Sequence, residues 1–350
     1  MMLRFAIFSF LALAFAFVAC KKKNIEPTTP VKEPVLQISD LFELQVPEGF
    51  DQPKIPAENP LNEKKVALGK KLFYDPVLSK NSSLSCASCH RPELAFTDGL
   101  SMSNGANNQP LSRNSPTLVN VVYNTAFMHD GGPKTLENQI MLPFDNELEF
   151  NLSLPEAADK LAKIDGYRKA FQETYGTAPT AKGIIDAISS FERTLLSGNS
   201  KYDQYTFQGQ QGALNASELR GNTLFFSKEL SCSECHSGFN FTNYSLQNNG
   251  TFELGSDSGR YKVTRFINDI GLFKVPTLRN LSVTKPYMHD GRFSTLMEVI
   301  LHYESGGHPY PTRSNLVRGF SLTDGQKKDL EAFLLSLTDE EFLQNPDHRP

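Results

Sequence analysis

The chain has 350 residues, 39% of them hydrophobic, which is enough for one large or two ordinary domains with real cores. Its 35 basic and 39 acidic side chains leave a formal net charge of −4, which argues against a nucleic-acid binder and against a strongly acidic tail. There are five cysteines, no tryptophan and 26 phenylalanines.

Residues 1–19 read as an export signal. Arg4 supplies positive charge, and the apolar run 5–19 is fifteen residues long, shorter than the ~20 of a membrane-spanning helix. Phe17-Val18-Ala19-Cys20 resembles a bacterial lipobox, which makes Cys20 the expected lipidation site; an uncleaved anchor is the alternative. Either way the folded part belongs in the periplasm or cell envelope, touching membrane only through that anchor. Lys21-Lys22-Lys23 and repeated prolines from Pro27 to Pro56 mark residues 20–58 as an extended tether.

Helical periodicity starts near Leu61. Asn62 is the expected N-cap, Val66, Leu68, Leu72 and Phe73 give one apolar face, and Pro76 ends it. Cys86-Ala87-Ser88-Cys89-His90 follows. This C-x-x-C-H pattern attaches haem covalently: two thiols add to the vinyl groups and the histidine ligates the iron. Cys232-Ser233-Glu234-Cys235-His236 repeats it, so two c-type haems are expected. Two zinc half-sites are the competing reading, disfavoured because both copies run directly into histidine. Between the motifs lie an aperiodic loop over 97–114 and helices over 155–163, 167–175 and 180–196. A further helix starts at Asn215 with Glu218 at capping-box spacing. Residues 238–275 read as long irregular loops, and a last helix runs from Thr323, with Gln326 at capping-box spacing, to Leu337.

The two halves repeat one another. Pro116-Thr117-Leu118-Val119-Asn120 matches Pro276-Thr277-Leu278-Arg279-Asn280, Met128-His129-Asp130-Gly131 matches Met288-His289-Asp290-Gly291, and Thr135-Leu136 matches Thr295-Leu296. All three pairs are offset by 160 residues (276 − 116, 288 − 128, 295 − 135), which points to two related haem domains.

On these motifs, with Leu68-Gly69-Lys70-Lys71-Leu72-Phe73, Arg113-Asn114-Ser115-Pro116-Thr117 and Pro286-Tyr287-Met288-His289-Asp290-Gly291, the chain resembles the bacterial di-haem cytochrome c peroxidase family, which includes MauG-like proteins. The resemblance spans about 59–337. It implies an all-α pair of cytochrome c-like domains related by internal duplication: an N-terminal peroxidatic domain over 59–208 and a C-terminal electron-transfer domain over 209–340, whose last helix is free to pack back on the first.

The resemblance also assigns roles. Many family members carry a removable histidine ligand in the loop after the first motif; that position falls near Ala106, and no histidine lies between His90 and His129. The first haem is therefore expected to be open to peroxide. The family's sixth ligand on the second haem aligns with Tyr303, whose repeat partner is Pro143 (303 − 160), which has no ligating group. His302, Met297 and Met288 compete, although on a helix His302 points about 100° from Tyr303; a merely packed Tyr303 is the bland alternative. Glu149 is the implied proton shuttle and Gln139 its companion, with Asp145 and Glu147 as nearby decoys; for any glutamate, solvated surface acid is the default. His129 stands where relatives carry an inter-haem tryptophan, and Tyr123, Tyr287 and Tyr303 are the remaining oxidisable aromatics. Its repeat partner His289 is expected to hydrogen-bond Asp290. One calcium ion is implied at Asn114 through its side chain and at Thr284 and Pro286 through carbonyls.

Three functions follow in order of support. The first is reduction of hydrogen peroxide to water with electrons from a small cytochrome or cupredoxin. The second is MauG-like oxidation of a protein or small molecule, favoured by Tyr303 and opposed by the missing tryptophan. The third is plain electron transfer, against which Gln139 and Glu149 argue. A homodimer is expected by analogy.

Overall fold

The computed structural model describes residues 42–350; the export signal, Cys20 and the start of the tether lie outside the described residues. Before residue 209 come α1 (Glu63–Tyr74), α2 (Leu136–Asp145), α3 (Leu154–Ala162), α4 (Asp165–Tyr175), α5 (Ala181–Glu192) and α6 (Lys201–Thr206). After it come α7 (Ala216–Phe225), α8 (Cys232–Cys235), α9 (Tyr261–Thr264), α10 (Leu296–Ser305), α11 (Asp324–Leu335) and α12 (Glu340–Gln344). The architecture is helix-rich, with one small antiparallel sheet of β1 (Leu246–Gln247) and β2 (Phe273–Lys274).

The expected caps form. The Asn62 side chain accepts from the Lys65 N–H, and the Asn215–Glu218 and Thr323–Gln326 pairs close reciprocal capping boxes on α7 and α11. α1 lies against α5, and α7 lies against α11. Both crossings are made at a glycine. A Cβ at Gly69 would overlap the Ala187 carbonyl, and one at Gly221 the Asp329 carbonyl. Main chain touches main chain there, which no larger residue permits.

Buried apolar side chains form two clusters. The first gathers Leu72, Phe73, Phe96, Phe144, Phe171, Ile188 and Phe191, and takes Phe342 and Leu343 from α12 at the far end of the chain. The second gathers Phe225, Phe241, Ile300, Phe333 and Leu337. Asn120 and Asn280 join them. Both have left-handed backbone, φ 56° and 61°, which asparagine tolerates better than most residues. Asn120 Nδ2 donates to the Ser197 carbonyl at 3.0 Å; Asn280 Nδ2 donates to Ser197 Oγ at 3.0 Å and its Oδ1 accepts from the Asp339 N–H at 2.8 Å. The repeated Pro-Thr-Leu-x-Asn segments are thus pinned at their last residue.

Three expectations need correction. The all-α reading misses the sheet, whose strands of two residues each are too short to leave a period-2 pattern. The helix expected over 180–196 stops at Glu192, because Asn120 takes the Leu195 carbonyl with its N–H at 2.8 Å and the Ser197 carbonyl with its side chain. Asp290 does not bind His289. It pairs with Arg292 at 2.7 Å, while His289 stacks on Phe273 with ring centroids 3.7 Å apart.

Candidate active site

The two C-x-x-C-H motifs open onto one continuous cavity of about 650 Å³, lined by Cys89 and His90 from the first and by Cys232, Cys235 and His236 from the second. Cys86 lines an adjoining recess. Each motif is a single tight turn: a 3-10 turn at Cys86–Ser88 and the short helix α8. The chain then doubles back through a left-handed residue, Phe96 at φ 59° and Phe241 at φ 49°. The carbonyls of these residues return to the histidines. His90 Nδ1–H donates to the Phe96 carbonyl at 2.8 Å, and His236 Nδ1–H to the Phe241 carbonyl at 3.0 Å.

This donor set fits haem. A carbonyl on Nδ1 fixes the tautomer and leaves Nε2 as the ligating atom. Burial lowers the pKa of both imidazoles, which favours the neutral form that a ligand needs. Two thiols stand beside each histidine, none of them in a disulfide. Among the described residues no three His, Cys, Asp or Glu side chains converge as a metal-ion set, so the zinc half-sites do not complete one another.

Above the motifs, α2 and α10 are matching elements. Each has ten residues, each starts at a threonine cap (Thr135, Thr295), and their bounds differ by 160 (296 − 136). Pro143 and Tyr303 therefore hold equivalent positions, and both line the cavity. The Tyr303 hydroxyl receives Asn249 Nδ2–H at 3.3 Å, and the same amide lies 3.3 Å from Met288 Sδ. Burial pushes the phenol pKa up to about 12, with the Asn249 bond opposing it. His302 and Met297 do not line the cavity; His302 Nε2–H is turned away to the Asn249 carbonyl at 3.0 Å. Met288 does line it, beside Tyr303.

On the Pro143 side the cavity is bordered by Gln139 and Glu149. Gln139 sits one turn before Pro143, its amide nitrogen 3.9 Å from Met128 Sδ. Glu149 Oε2 accepts from Asn146 Nδ2 at 2.6 Å, in the turn that closes α2. Burial raises the Glu149 pKa, and the Asn146 bond partly offsets it. Asp145 and Glu147 are exposed and do not reach the cavity. Ala106 lies in the loop beside them, its N–H on the Leu148 carbonyl at 2.6 Å.

Four histidines line the cavity: His90, His129, His236 and His289. His129 Nε2–H donates to the Asn114 carbonyl at 2.9 Å, and burial lowers its pKa to about 4, so it is a neutral, fixed ring. Asn114, Thr284 and Pro286 line the same cavity. Asn114 Nδ2 is committed to the Leu100 carbonyl at 2.6 Å, which leaves Oδ1 as its available donor. Tyr287 also lines the cavity, whereas Tyr123 bonds the Asp51 carbonyl near the surface.

Residues 63–212 match the family profile described as di-haem cytochrome c peroxidase. The chain is 37% identical over 300 residues to the methylamine utilization protein MauG of Methylorubrum extorquens, covering 83% of this chain and 82% of that protein. It is 38% identical over 290 residues to the cytochrome c551 peroxidase of Nitrosomonas europaea, covering 81% and 83%. The chain belongs to the di-haem cytochrome c peroxidase and MauG family. Among solved structures it superposes with a TM-score of 0.83 and 31% identity on a MauG-like protein associated with microbial copper homeostasis, covering 88% of this chain and 99% of that one.

This family member carries cavity residues that its sequence alone did not single out. Asn249 lies on the Tyr303 side, Lys274 lines the cavity, and Glu192 lines the recess beside Cys86. Only Glu192 left a trace in the sequence. It sits on α5 among Ile188, Phe191 and Leu195, an acid on an apolar face. The other two lie in stretches without periodicity.

Proposed function

We propose that the protein is a di-haem cytochrome c peroxidase that reduces hydrogen peroxide to water in the cell envelope. The observation that carries this reading is the contrast between matching helices: Pro143 on one side with Gln139 and Glu149 beside it, Tyr303 on the other. The two haems would be held by Cys86, Cys89 and His90 and by Cys232, Cys235 and His236, with Tyr303 as second ligand at the latter. Haem, when bound, supplies the iron at which peroxide is cleaved and the path for electrons.

The chain's own residues manage protons and position. Cleavage of hydrogen peroxide requires a proton to pass from one oxygen to the other, and a carboxylate whose pKa burial raises is a better base for accepting and returning it. Glu149 takes that role, steadied by Asn146, and the Gln139 amide orients the substrate. Pro143 offers no group that competes with peroxide. The net reaction consumes two protons and two electrons per peroxide and yields two waters. The electrons would come singly from a small cytochrome or cupredoxin, entering at the Tyr303 side.

The remaining assignments belong to the same proposal. The domains divide near residue 208 and arise by duplication, which the 160-residue offset and the matching φ values of Asn120/Asn280 and Met128/Met288 support. One calcium ion would sit at Asn114, Thr284 and Pro286, with hard oxygen donors suited to it. Cys20 would carry lipid, as the lipobox-like Phe17-Val18-Ala19-Cys20 suggests. The chain would pair as a homodimer.

A MauG-like oxidase is the second reading, favoured by Tyr303. His129 weighs against it: a neutral imidazole pinned to the Asn114 carbonyl is a poor site for sharing an oxidising equivalent. One experiment separates the two. The diferric protein, as isolated, is mixed with peroxide and a reduced small cytochrome. Immediate multiple turnover supports the peroxidase. Activity that appears only after half-reduction overturns the open first haem, and no turnover in either state removes the peroxidase.

A further inference from the structure

Within the shared cavity lies a cation that no side chain answers. Lys274 ends β2, and its main-chain N–H donates to the His129 carbonyl at 2.7 Å. Its side chain lines the cavity. No carboxylate among the described residues pairs with its ammonium, and no hydroxyl or carbonyl accepts from it. Arg113, which lines the same cavity, is by contrast clamped between Asp130 at 2.6 Å and Asp257 at 2.7 Å. Burial alone drives the Lys274 pKa down to about 8. Lys274 is half-buried, and no acceptor of the chain meets its ammonium in this largely apolar cavity, so an anion that enters the cavity finds an unpaired cation there.

Haem brings such an anion. Its two carboxylates stand on the edge of the porphyrin away from the vinyl groups that the thiols hold, and inside an apolar cavity they need cations or hydrogen-bond donors. Lys274 belongs to the second motif's surroundings. Two residues on, the Pro276 carbonyl is a hydrogen-bond partner of His236. At the same time Lys274 adjoins His129, which bonds Asn114. Resting on the two-haem reading above, we propose that Lys274 is the counter-ion of a propionate on the haem held by Cys232 and Cys235.

The repeat gives the pairing a meaning. The residue 160 positions before Lys274 is Asn114, the candidate calcium donor. One half would recruit a metal cation at this place and the other would carry a cation of its own. Both charges then lie at the boundary that an electron must cross between haems.

The test compares holoprotein carrying Lys274→Gln, Lys274→Met and Lys274→Arg with the parent. Haem content is measured first; two haems per chain in the parent keeps the underlying reading intact, and fewer would fail that reading rather than this one. Midpoint potentials of each haem and propionate bending modes by resonance Raman are then recorded. Loss of the cation favours the more positive, ferric state. At a fixed ambient potential the oxidised-to-reduced ratio of the second haem should rise about tenfold in the Gln and Met variants. Its propionate mode should shift, and the first haem should stay as it was. Arginine should restore both signals. Unchanged potentials in the fully loaded Gln variant would overturn the proposal, as would a shift confined to the first haem. If the Gln variant loads poorly, the Arg variant decides: full loading at parental potentials supports the pairing, and failure to restore loading overturns it. A parental potential that responds to added chloride or phosphate as it does to Lys274→Gln would assign the ammonium to a solution anion instead.

Discussion

Pro143 and Tyr303 occupy the same position on two matching helices, 160 residues apart, and both face the cavity that carries the haem motifs. One scaffold thus presents a phenol at one motif and a saturated ring at the other. The consequence is tested by exchanging the two characters. Tyr303→Phe removes the hydroxyl but leaves the ring to fill its space, so the second haem should turn from six-coordinate to high-spin in optical and EPR spectra, with the first unaffected. Pro143→Tyr should close the first site and cut the rate of reaction with peroxide at least about tenfold. A Tyr303→Phe spectrum identical to the parent would pass the ligand role to Met288, the other candidate that lines this side.

Glu149 is the acid whose surroundings fit a proton shuttle: burial raises its pKa and Asn146 holds one oxygen at 2.6 Å. Glu149→Gln keeps the shape but cannot accept or return a proton. Stopped-flow reaction with peroxide should slow by about 10²–10⁴-fold while both haems remain bound. A rate within a factor of about two of the parent would leave general acid–base work to another group.

Gly69 and Gly221 set the helix crossings of the two cores. Alanine at either position drives a methyl into a main-chain carbonyl, of Ala187 or of Asp329. Neither carbonyl can move without breaking its own helix. Each substitution should destabilise by about 1–3 kcal/mol, read as a lower urea midpoint by far-UV circular dichroism. If Gly69→Ala were neutral, the close α1–α5 crossing would not be limiting.

Much of the scaffold was legible because it is written in local chemistry. Asn62, Asn215 and Thr323 announce helices by side-chain caps, and the two C-x-x-C-H motifs announce their ligands by spacing. The 160-residue offset carried the comparison of Tyr303 with Pro143 directly. What stayed hidden depends on long-range contacts. Lys274 and Asn249 owe their place in the cavity to a two-residue sheet and to loops, which have no period to read. His289 has an aspartate next to it in sequence, yet Arg292 claims that carboxylate and Phe273 claims the ring. The early end of α5 was set by Asn120, more than 70 residues away (192 − 120 = 72).

Glu192 gives the last prediction, through pH. It is 4% exposed on α5, and its Oε2 has no partner. Burial pushes its pKa up to about 8, with Arg193 opposing and Glu137 adding to the rise. An acid whose folded pKa lies above its unfolded value binds a proton more tightly when folded. Its contribution to stability is complete below the unfolded pKa of about 4.3 and is lost as pH rises through about 8. At about 1.4 kcal/mol per unit, the upper bound is on the order of 5 kcal/mol. The unfolding free energy of the holoprotein should therefore fall from about pH 5 to about pH 8 and level off above. Glu192→Gln is neutral throughout and should flatten that decline. Urea titrations at each pH measure it, and a slope in Glu192→Gln equal to the parent's would place the pH dependence on another group.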